Sequence, residues 1–521
     1  MCGIWLYLRT HKSESDLGQH NKLLLKKSFD KIGSRGPDES KYIDLLESNN
    51  IIIGFHRLAI MDLSTNGSQP FITTIGNKTL YTVSNGEIYN YARLCVKYNI
   101  TLPSKSDCNV LPYLFASIGI ESMAKELIGE YAFVICEIDN VLNTTKVYIC
   151  RDRLGVRPIF VSGTPNELVI SSELKGSPFL FSKDFTVEQF RPGHYACVDL
   201  DLYKSEPGFG PNPPPPINVI NYTQYYSLQE EKTFENYFNL ISRDNIILYN
   251  HITKNIDLQN RYVMAKFLIY NTFVKIIEDM MVSDRPVGCL LSGGLDSSLV
   301  AAIASIYAKR KNQKLHTFSI GLPGGTDEPY AKKVAEHIGS IHTHVLVTED
   351  EFVQAVKTEV IPCIETYDIT TVRASTGQYL ICKWIRANTD IKVVLIGDGS
   401  DELTSGYMYF HKAPNSQASH DENIRLLEQI HYYDVLRADR GVASNGLEAR
   451  VPYLDVRFVE LYLSLKKSFR SCMGESVEKL LLRDSFNKLN NKLLPNEVLY
   501  RKKEAFSDGV SSMKKLWYVI M

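Results

Sequence analysis

Leu290–Leu291–Ser292–Gly293–Gly294–Leu295–Asp296–Ser297–Ser298 lies just past the middle of a 521-residue chain. The apolar run 287–291 predicts a buried strand, and 299–308 predicts the helix that follows it. Between them stand two adjacent glycines and three serines, a composition that turns backbone N–H groups toward a phosphate at a helix N-terminus. The common nucleoside-triphosphate loop carries a Lys and a wider glycine spacing; neither is present here. Instead Asp296 sits inside the loop, and a carboxylate beside phosphate calls for a divalent cation between them. A plain glycine turn would account for SGG alone. SGGxDSS at a strand–helix junction points instead to Ser292, Gly293, Gly294, Ser297 and Ser298 as a phosphate cradle, with Asp296 on the metal.

Downstream of this loop, strands are expected at 315–320, 343–347 and 393–396, and helices at 328–338, 351–361 and 374–387. Strands separated by helices mean a parallel sheet with helices on both faces, whose ligands bind beyond the carboxyl ends of the strands. Two of those ends carry chemistry. Leu291 runs into the phosphate loop, and Ile396 runs into Gly397–Asp398–Gly399–Ser400–Asp401–Glu402. Asp296 and Asp401 are therefore expected to hold Mg²⁺ against a pyrophosphate from two sides. Lys503, in Arg501–Lys502–Lys503–Glu504, is the candidate cation for the same phosphates.

The remaining composition excludes several classes. A net charge of −1 with short basic runs gives no field for nucleic acid. No apolar run approaches a membrane span, and the start of the chain lacks a signal-peptide pattern. Ten cysteines without a CxxC pair suggest neither a zinc site nor a disulfide framework. A cytoplasmic protein is expected, and 44% hydrophobic content is ample for two or three separate cores.

The amino terminus holds a second set of reactive groups. Removal of Met1 would leave Cys2 with both a thiol and an α-amine, of ordinary pKa roughly 8.5 and 8. The amine can then accept the thiol proton, so one residue is nucleophile and base. Thiol attack on a carboxamide also needs a cation for the substrate carboxylate, carboxylates for its ammonium, and neutral donors for the oxyanion. Arg57 suits the first, Asp107 and Glu87 the second, and the Asn85 amide with the Gly86 N–H the third. Strands are expected at 51–55 and 80–83, with a helix at 92–97.

Cys2–Gly3–Ile4, Ser34–Arg35–Gly36–Pro37–Asp38, His56–Arg57–Leu58, Asn85–Gly86–Glu87–Ile88–Tyr89–Asn90 and Ser106–Asp107–Cys108 resemble, in order, the glutaminase domain of class II glutamine amidotransferases. Arg151 to Pro158 and Ser171–Ser172–Glu173–Leu174–Lys175 extend the likeness to about residue 200. The resemblance implies an N-terminal-nucleophile αββα sandwich that hydrolyses glutamine through a Cys2 thioester. It also implies that Arg57, Leu58, Ala59, Ile60 and Met61 bind glutamine together with Asn85, Gly86, Glu87 and Asp107.

Farther on, Glu365–Thr366–Tyr367–Asp368–Ile369–Thr370–Thr371–Val372–Arg373–Ala374–Ser375–Thr376, Gly406–Tyr407, Gly446 to Pro452 and Lys503 to Gly509 resemble the glutamine-hydrolysing asparagine synthetases. That likeness implies an α/β, Rossmann-like ATP pyrophosphatase domain following the α+β glutaminase. It implies conversion of aspartate and MgATP to β-aspartyl-AMP, then attack by ammonia delivered through an internal tunnel. By the same likeness Leu290, Ile320, Ile396 and Gly397 contact the nucleotide, Thr370 and Arg373 bind aspartate, and Lys503 is catalytic. Family members commonly form homodimers, which is the expectation for this chain. Another amidating ligase with a different acid substrate is the alternative.

The expected domains are 2–204, a proline-rich linker and irregular insert at 205–262, and 263–521. One departure bears on chemistry: the family usually has Ser-Gly-Glu-Gly-Ser-Asp-Glu where this chain has Ile396 to Glu402. The acid beside the acyl intermediate is therefore Asp398, one methylene short. A misplacement near ~1 Å can cost on the order of 100-fold in rate, so a slower synthetase is expected.

Overall fold

Strand β1 (Gly3–Arg9) is buried on both faces, which is why its residues show no apolar–polar alternation. Ile4, Leu6 and Leu8 face one way, where they meet Ile51, Ile53, Phe55, Val134 and Cys136. Trp5 and Tyr7 face the other way, against Leu25 and Phe29 of helix α1 (Gln19–Asp30). This computed structural model describes residues 1–9, 19–164, 167–180, 185–200, 220–233, 237, 261–487 and 493–503. Its chain divides into two units, Met1–Ser227 with Ala443–Glu448, and Leu228–Val442 with Ala449–Met521.

In the first unit, β1 shares a sheet with β2 (Glu39–Leu45), β3 (Ile51–Arg57), β8 (Phe160–Thr164), β9 (Glu167–Ser171) and β10 (Thr186–Gln189), ordered β10-β8-β9-β1-β3-β2. A second sheet comprises β4 (Phe71–Ile75), β5 (Lys78–Ile88), β6 (Gly129–Asp139), β7 (Thr144–Arg151), β11 (His194–Asp199) and β12 (Asn221–Gln224), ordered β12-β11-β7-β6-β5-β4. Every pairing in both sheets is antiparallel. Along β6, Ala132, Val134 and Cys136 fill the space between the sheets. Tyr131, Phe133 and Ile135 pack outward with Leu94 of helix α2 (Tyr91–Tyr98) and with Val110, Leu111 and Leu114 of helix α3 (Val110–Glu126). Helix, sheet, sheet, helix is the αββα order expected.

Two expected strands run longer than their apolar cores. The run at 51–55 continues through His56 and Arg57, which pair with Gly3, Ser40 and Glu39. The run at 80–83 continues to Ile88, so Asn85 and Gly86 lie within a strand opposite Ala132 and Tyr131. Gly86 has φ +136°, and a Cβ there would fall 1.9 Å from the Glu130 carbonyl oxygen, so only glycine fits. Strand β12 lies in the stretch read from sequence as an irregular insert, where it pairs with β11. Residues 205–219, 234–236 and 238–260 of that stretch lie outside the described residues.

In the second unit, strands β13 (Val287–Leu290), β14 (His316–Gly321), β15 (Ile341–Leu346), β16 (Val393–Leu395) and β17 (Glu448–Arg450) form a sheet ordered β15-β14-β13-β16-β17. β13 is parallel to β14 and β16, and β14 to β15. The chain builds outward from β13 through β14 to β15, then returns to the opposite side of β13 as β16. The strand order therefore reverses between β13 and β16, the place where such sheets open a crevice for ligands. The helices that matter below are α4 (Leu295–Arg310), α5 (Ile369–Asn388), α6 (Asp434–Ala443) and α7 (Leu480–Asn487).

Candidate active site

At the amino-terminal centre, Cys2 precedes β1, and its thiol faces the Leu58 carbonyl oxygen at 3.8 Å. Burial pushes the thiol pKa up, partly offset by the charge of the adjacent N-terminus. Met1 is attached here and fully buried. Its amine donates to the Leu447 carbonyl at 3.3 Å, and burial lowers its pKa to about 6. Arg35, whose motif was noticed in the sequence without a role, donates from Nε to the Cys2 carbonyl at 3.0 Å. Its Nη1 meets Glu173 Oε1 at 2.9 Å with both side chains fully buried, so two of the family-like segments lock the reactive residue's backbone.

The segment 57–62 is shaped from both sides. Asp38 Oδ2 accepts the Ala59 N–H at 2.9 Å. Arg57 donates from Nη1 to the Ser64 carbonyl at 2.9 Å and from Nη2 to the Asp62 carbonyl. The guanidinium expected to clamp a substrate carboxylate thus also folds its own loop. Leu58, Ala59 and Ile60 are buried, and Met61 is half-buried. Asp107 accepts the Ile88 N–H at 2.6 Å, which fixes its carboxylate to the end of β5, one residue past Glu87. Asn85 stands apart: it is fully buried, and neither amide atom has a hydrogen-bond partner among the described residues. An orphaned buried amide carries a desolvation cost of about 1–3 kcal/mol, which neither Nδ2 nor Oδ1 of Asn85 offsets with a bond among the described residues.

At the second centre, Ser292 and Ser297 close the loop: the hydroxyls lie 3.0 Å apart, and Ser297 Oγ accepts the Ser292 N–H at 3.2 Å. Gly293 has φ +81°, and a Cβ there would strike the Ala331 nitrogen at 2.5 Å. Helix α4 begins at Leu295, so Asp296 occupies its first turn rather than the loop. For the same reason Ser298 is fully buried on the inner face of the helix, not on the loop as expected. Gly397 brings the β16 end against this helix start, where a Cβ would sit 2.9 Å from the Ser297 nitrogen. Leu290 is half-buried, and Ile320 and Ile396 are buried around the same strand ends.

The two acidic loops do converge, and a lysine joins them. Lys479, 3% exposed and directly before α7, places Nζ 2.8 Å from both Asp296 oxygens and 2.6 Å from Asp401 Oδ1. Ser400 Oγ donates to Asp296 Oδ1 at 2.8 Å, and Lys503 pairs with Asp401 Oδ2. Burial would raise the Asp401 pKa, but Lys479 and Lys503 hold it well below the usual carboxylate range. Gly406 is explained by the same cluster, because a Cβ there would lie 2.0 Å from Asp401 Oδ1. Nothing in the local sequence around Lys479 singles out that lysine; its role comes from tertiary placement alone. Residues 504–509 of the C-terminal motif lie outside the described residues.

Thr370, exposed, and Arg373, half-buried, lie in the first turns of α5, whose start is capped by Asp368 accepting the Thr371 N–H at 2.8 Å. Asp398 accepts a hydrogen bond from Gln378 Nε2 of α5 at 3.2 Å, and Arg437 Nη2 stands 3.7 Å from its Oδ1. Among the described residues no cluster of three or more metal-ligating side chains occurs. Two hard carboxylates still suit Mg²⁺, which takes one or two from protein and the rest from phosphate and water.

An asparagine synthase family model matches residues 269–427 and 413–516, and a glutamine amidotransferase domain model matches residues 1–196. The chain is 40% identical over 530 residues to asparagine synthetase [glutamine-hydrolyzing] of Gallus gallus, covering 100% of this chain and 86% of that protein. The chain belongs to the glutamine-hydrolysing asparagine synthetase family. The Homo sapiens member is 39% identical over 536 residues and the Bos taurus member 38%, each covering 100% of this chain and 86% of that protein. Among the described residues no helix is long and apolar enough to cross a membrane, and all ten cysteines are unpaired.

Proposed function

We propose that the chain makes asparagine from aspartate, with ATP as activator and glutamine as nitrogen donor. The observation carrying this reading is the convergence of Asp296, Asp401, Lys479 and Lys503 at the β13 and β16 strand ends. Two cations and two carboxylates beside a glycine–serine loop form a site for a leaving pyrophosphate. Aspartate and ATP give β-aspartyl-AMP and pyrophosphate; ammonia then displaces AMP.

In the glutaminase half, the Cys2 thiol attacks the glutamine amide after Met1 removal frees the α-amine as base. Asn85 Nδ2 and the Gly86 N–H stabilise the oxyanion, and the orphaned state of Asn85 supports that role. The 57–61 segment, Glu87 and Asp107 hold the rest of glutamine. In the synthetase half, Leu290, Ile320, Ile396 and Gly397 contact the nucleotide, and Ser292, Gly293, Gly294 and Ser297 its phosphates. Thr370 and Arg373 take aspartate. Asp296 and Asp401 would hold Mg²⁺, which supplies charge neutralisation to the pyrophosphate when bound. Asp398 accepts the proton released as ammonia attacks. A cytoplasmic homodimer is the setting we assign, with the unpaired cysteines in favour of the compartment.

The test is isotopic. Incubation with MgATP, aspartate and amide-¹⁵N glutamine yields ¹⁵N-asparagine, AMP and pyrophosphate in equal amounts. ATP consumption with no ¹⁵N in asparagine would defeat the reading.

A further inference from the structure

Asp398 is seated by neighbours that the family resemblance did not draw attention to. Gln378 of α5 gives its Oδ2 one neutral hydrogen bond at 3.2 Å. Arg437 Nη2 of α6 stands 3.7 Å from its Oδ1, outside hydrogen-bond range. Arg437 is held back because it grips Asp434, one helical turn earlier, with Nε at 3.0 Å and Nη2 at 2.6 Å. Its Nη1 reaches Gln378 Oε1 at only 3.5 Å. A carboxylate fully engaged by arginine is a poor proton acceptor, since the bidentate pair stabilises the charged form.

We propose that Asp434 is a positioning residue for amide formation: by retaining Arg437 it keeps the guanidinium one step away from Asp398 and leaves that carboxylate able to take a proton. This rests on the reading of Asp398 as the base. The step balances as follows. The ammonia lone pair forms the C–N bond to the β-acyl carbon, the C–O bond to AMP breaks with its electron pair, and one N–H proton passes to an Asp398 oxygen. The groups facing Asp398 act in both directions, and the net effect is a raised pKa. Burial raises its pKa, Arg437 and the Gln378 hydrogen bond lower it, and the charges of Asp434 and Asp401 raise it.

Asp434→Asn releases Arg437 to close on Asp398. With ammonia as nitrogen source, asparagine formation is expected to fall about 10-fold relative to pyrophosphate release. The acid limb of its pH–rate profile moves to lower pH. Glutaminase activity and aspartate-dependent pyrophosphate release report that the protein is folded. Arg437→Gln is the mirror variant: the acid limb moves up by about one pH unit. Combining the two substitutions is expected to recover amide formation lost in Asp434→Asn. An unaffected Asp434→Asn, a double variant no better than it, or an unmoved limb in Arg437→Gln would each overturn the proposal. If Asp434→Asn fails to fold, Arg437→Gln decides alone. Asp398→Asn separates the two levels. Parent-rate amide formation there sinks the base assignment itself, whereas an inactive Asp398→Asn beside an unaffected Asp434→Asn sinks only the role of Asp434.

Discussion

Lys479 Nζ lies within 2.8 Å of carboxylate oxygens of both Asp296 and Asp401, which come from two strand ends separated by about a hundred residues of chain. A single ammonium thus ties the helix start after β13 to the loop after β16.

Replacing it exposes that dependence. Lys479→Met takes the ammonium from Asp296 and leaves Asp401 with Lys503 alone, and breaking a buried pair of this kind costs on the order of 3–5 kcal/mol. The thermal midpoint is expected to drop, and pyrophosphate release to fall below detection. Glutaminase activity at Cys2 should survive. A variant with parent-like pyrophosphate release would show that Lys479 is no part of the phosphate site.

Asn85→Ala tests the orphaned amide. Losing one oxyanion donor costs about 100- to 1000-fold in kcat, so glutamine-dependent synthesis should fall by that factor with little change in KM. Ammonia-dependent synthesis should be untouched in both Asn85→Ala and Cys2→Ala. Equal loss with either nitrogen source would move Asn85 out of the glutaminase chemistry.

Asp398→Glu restores the missing methylene. Amide formation with saturating ammonia is expected to rise several-fold, up to the ~100-fold scale of a 1 Å misplacement. A flat or reduced rate would mean that Asp398 does not handle the proton.

An acid-side stability loss is expected from His342 on β15. Its ring is held between the Thr317 and Ser319 hydroxyls at 3.0 Å each. Burial, with His344 and Lys332 nearby, lowers its pKa from 6.5 to about 4. Below pH 6.5 the unfolded chain binds a proton that the folded chain refuses until about pH 4, so stability falls as pH drops across that window. His342→Gln should flatten the decline in a series of thermal midpoints. An unchanged slope would mean that the folded ring already carries its proton at pH 6.

The division between what was legible and what was not follows the range of the forces. Strand β13, its glycine–serine loop and the acids after β16 are local patterns, readable from composition and apolar runs. The extent of α4 was not, because Asp296 and the serines after it read as loop residues until the helix start at Leu295 is known. Asn85 and Gly86 lie past the strand expected at 80–83, yet β6 pairs with them and the chain stays extended. Lys479, Arg437 and Gln378 have no pattern at all; only folding brings them to Asp296 and Asp398. Arg57 was identified as a cation, but its grip on the Asp62 and Ser64 carbonyls depends on how its own loop turns back.

Strand β12 has a practical consequence for dissecting the enzyme. A glutaminase fragment ended at residue 204 would lack Asn221–Gln224, leaving the β11 flank with open backbone donors and acceptors, a surface prone to self-association. Extending the fragment to Ser227 keeps that flank covered, so soluble yield should separate the two truncations, which differ only by residues 205–227.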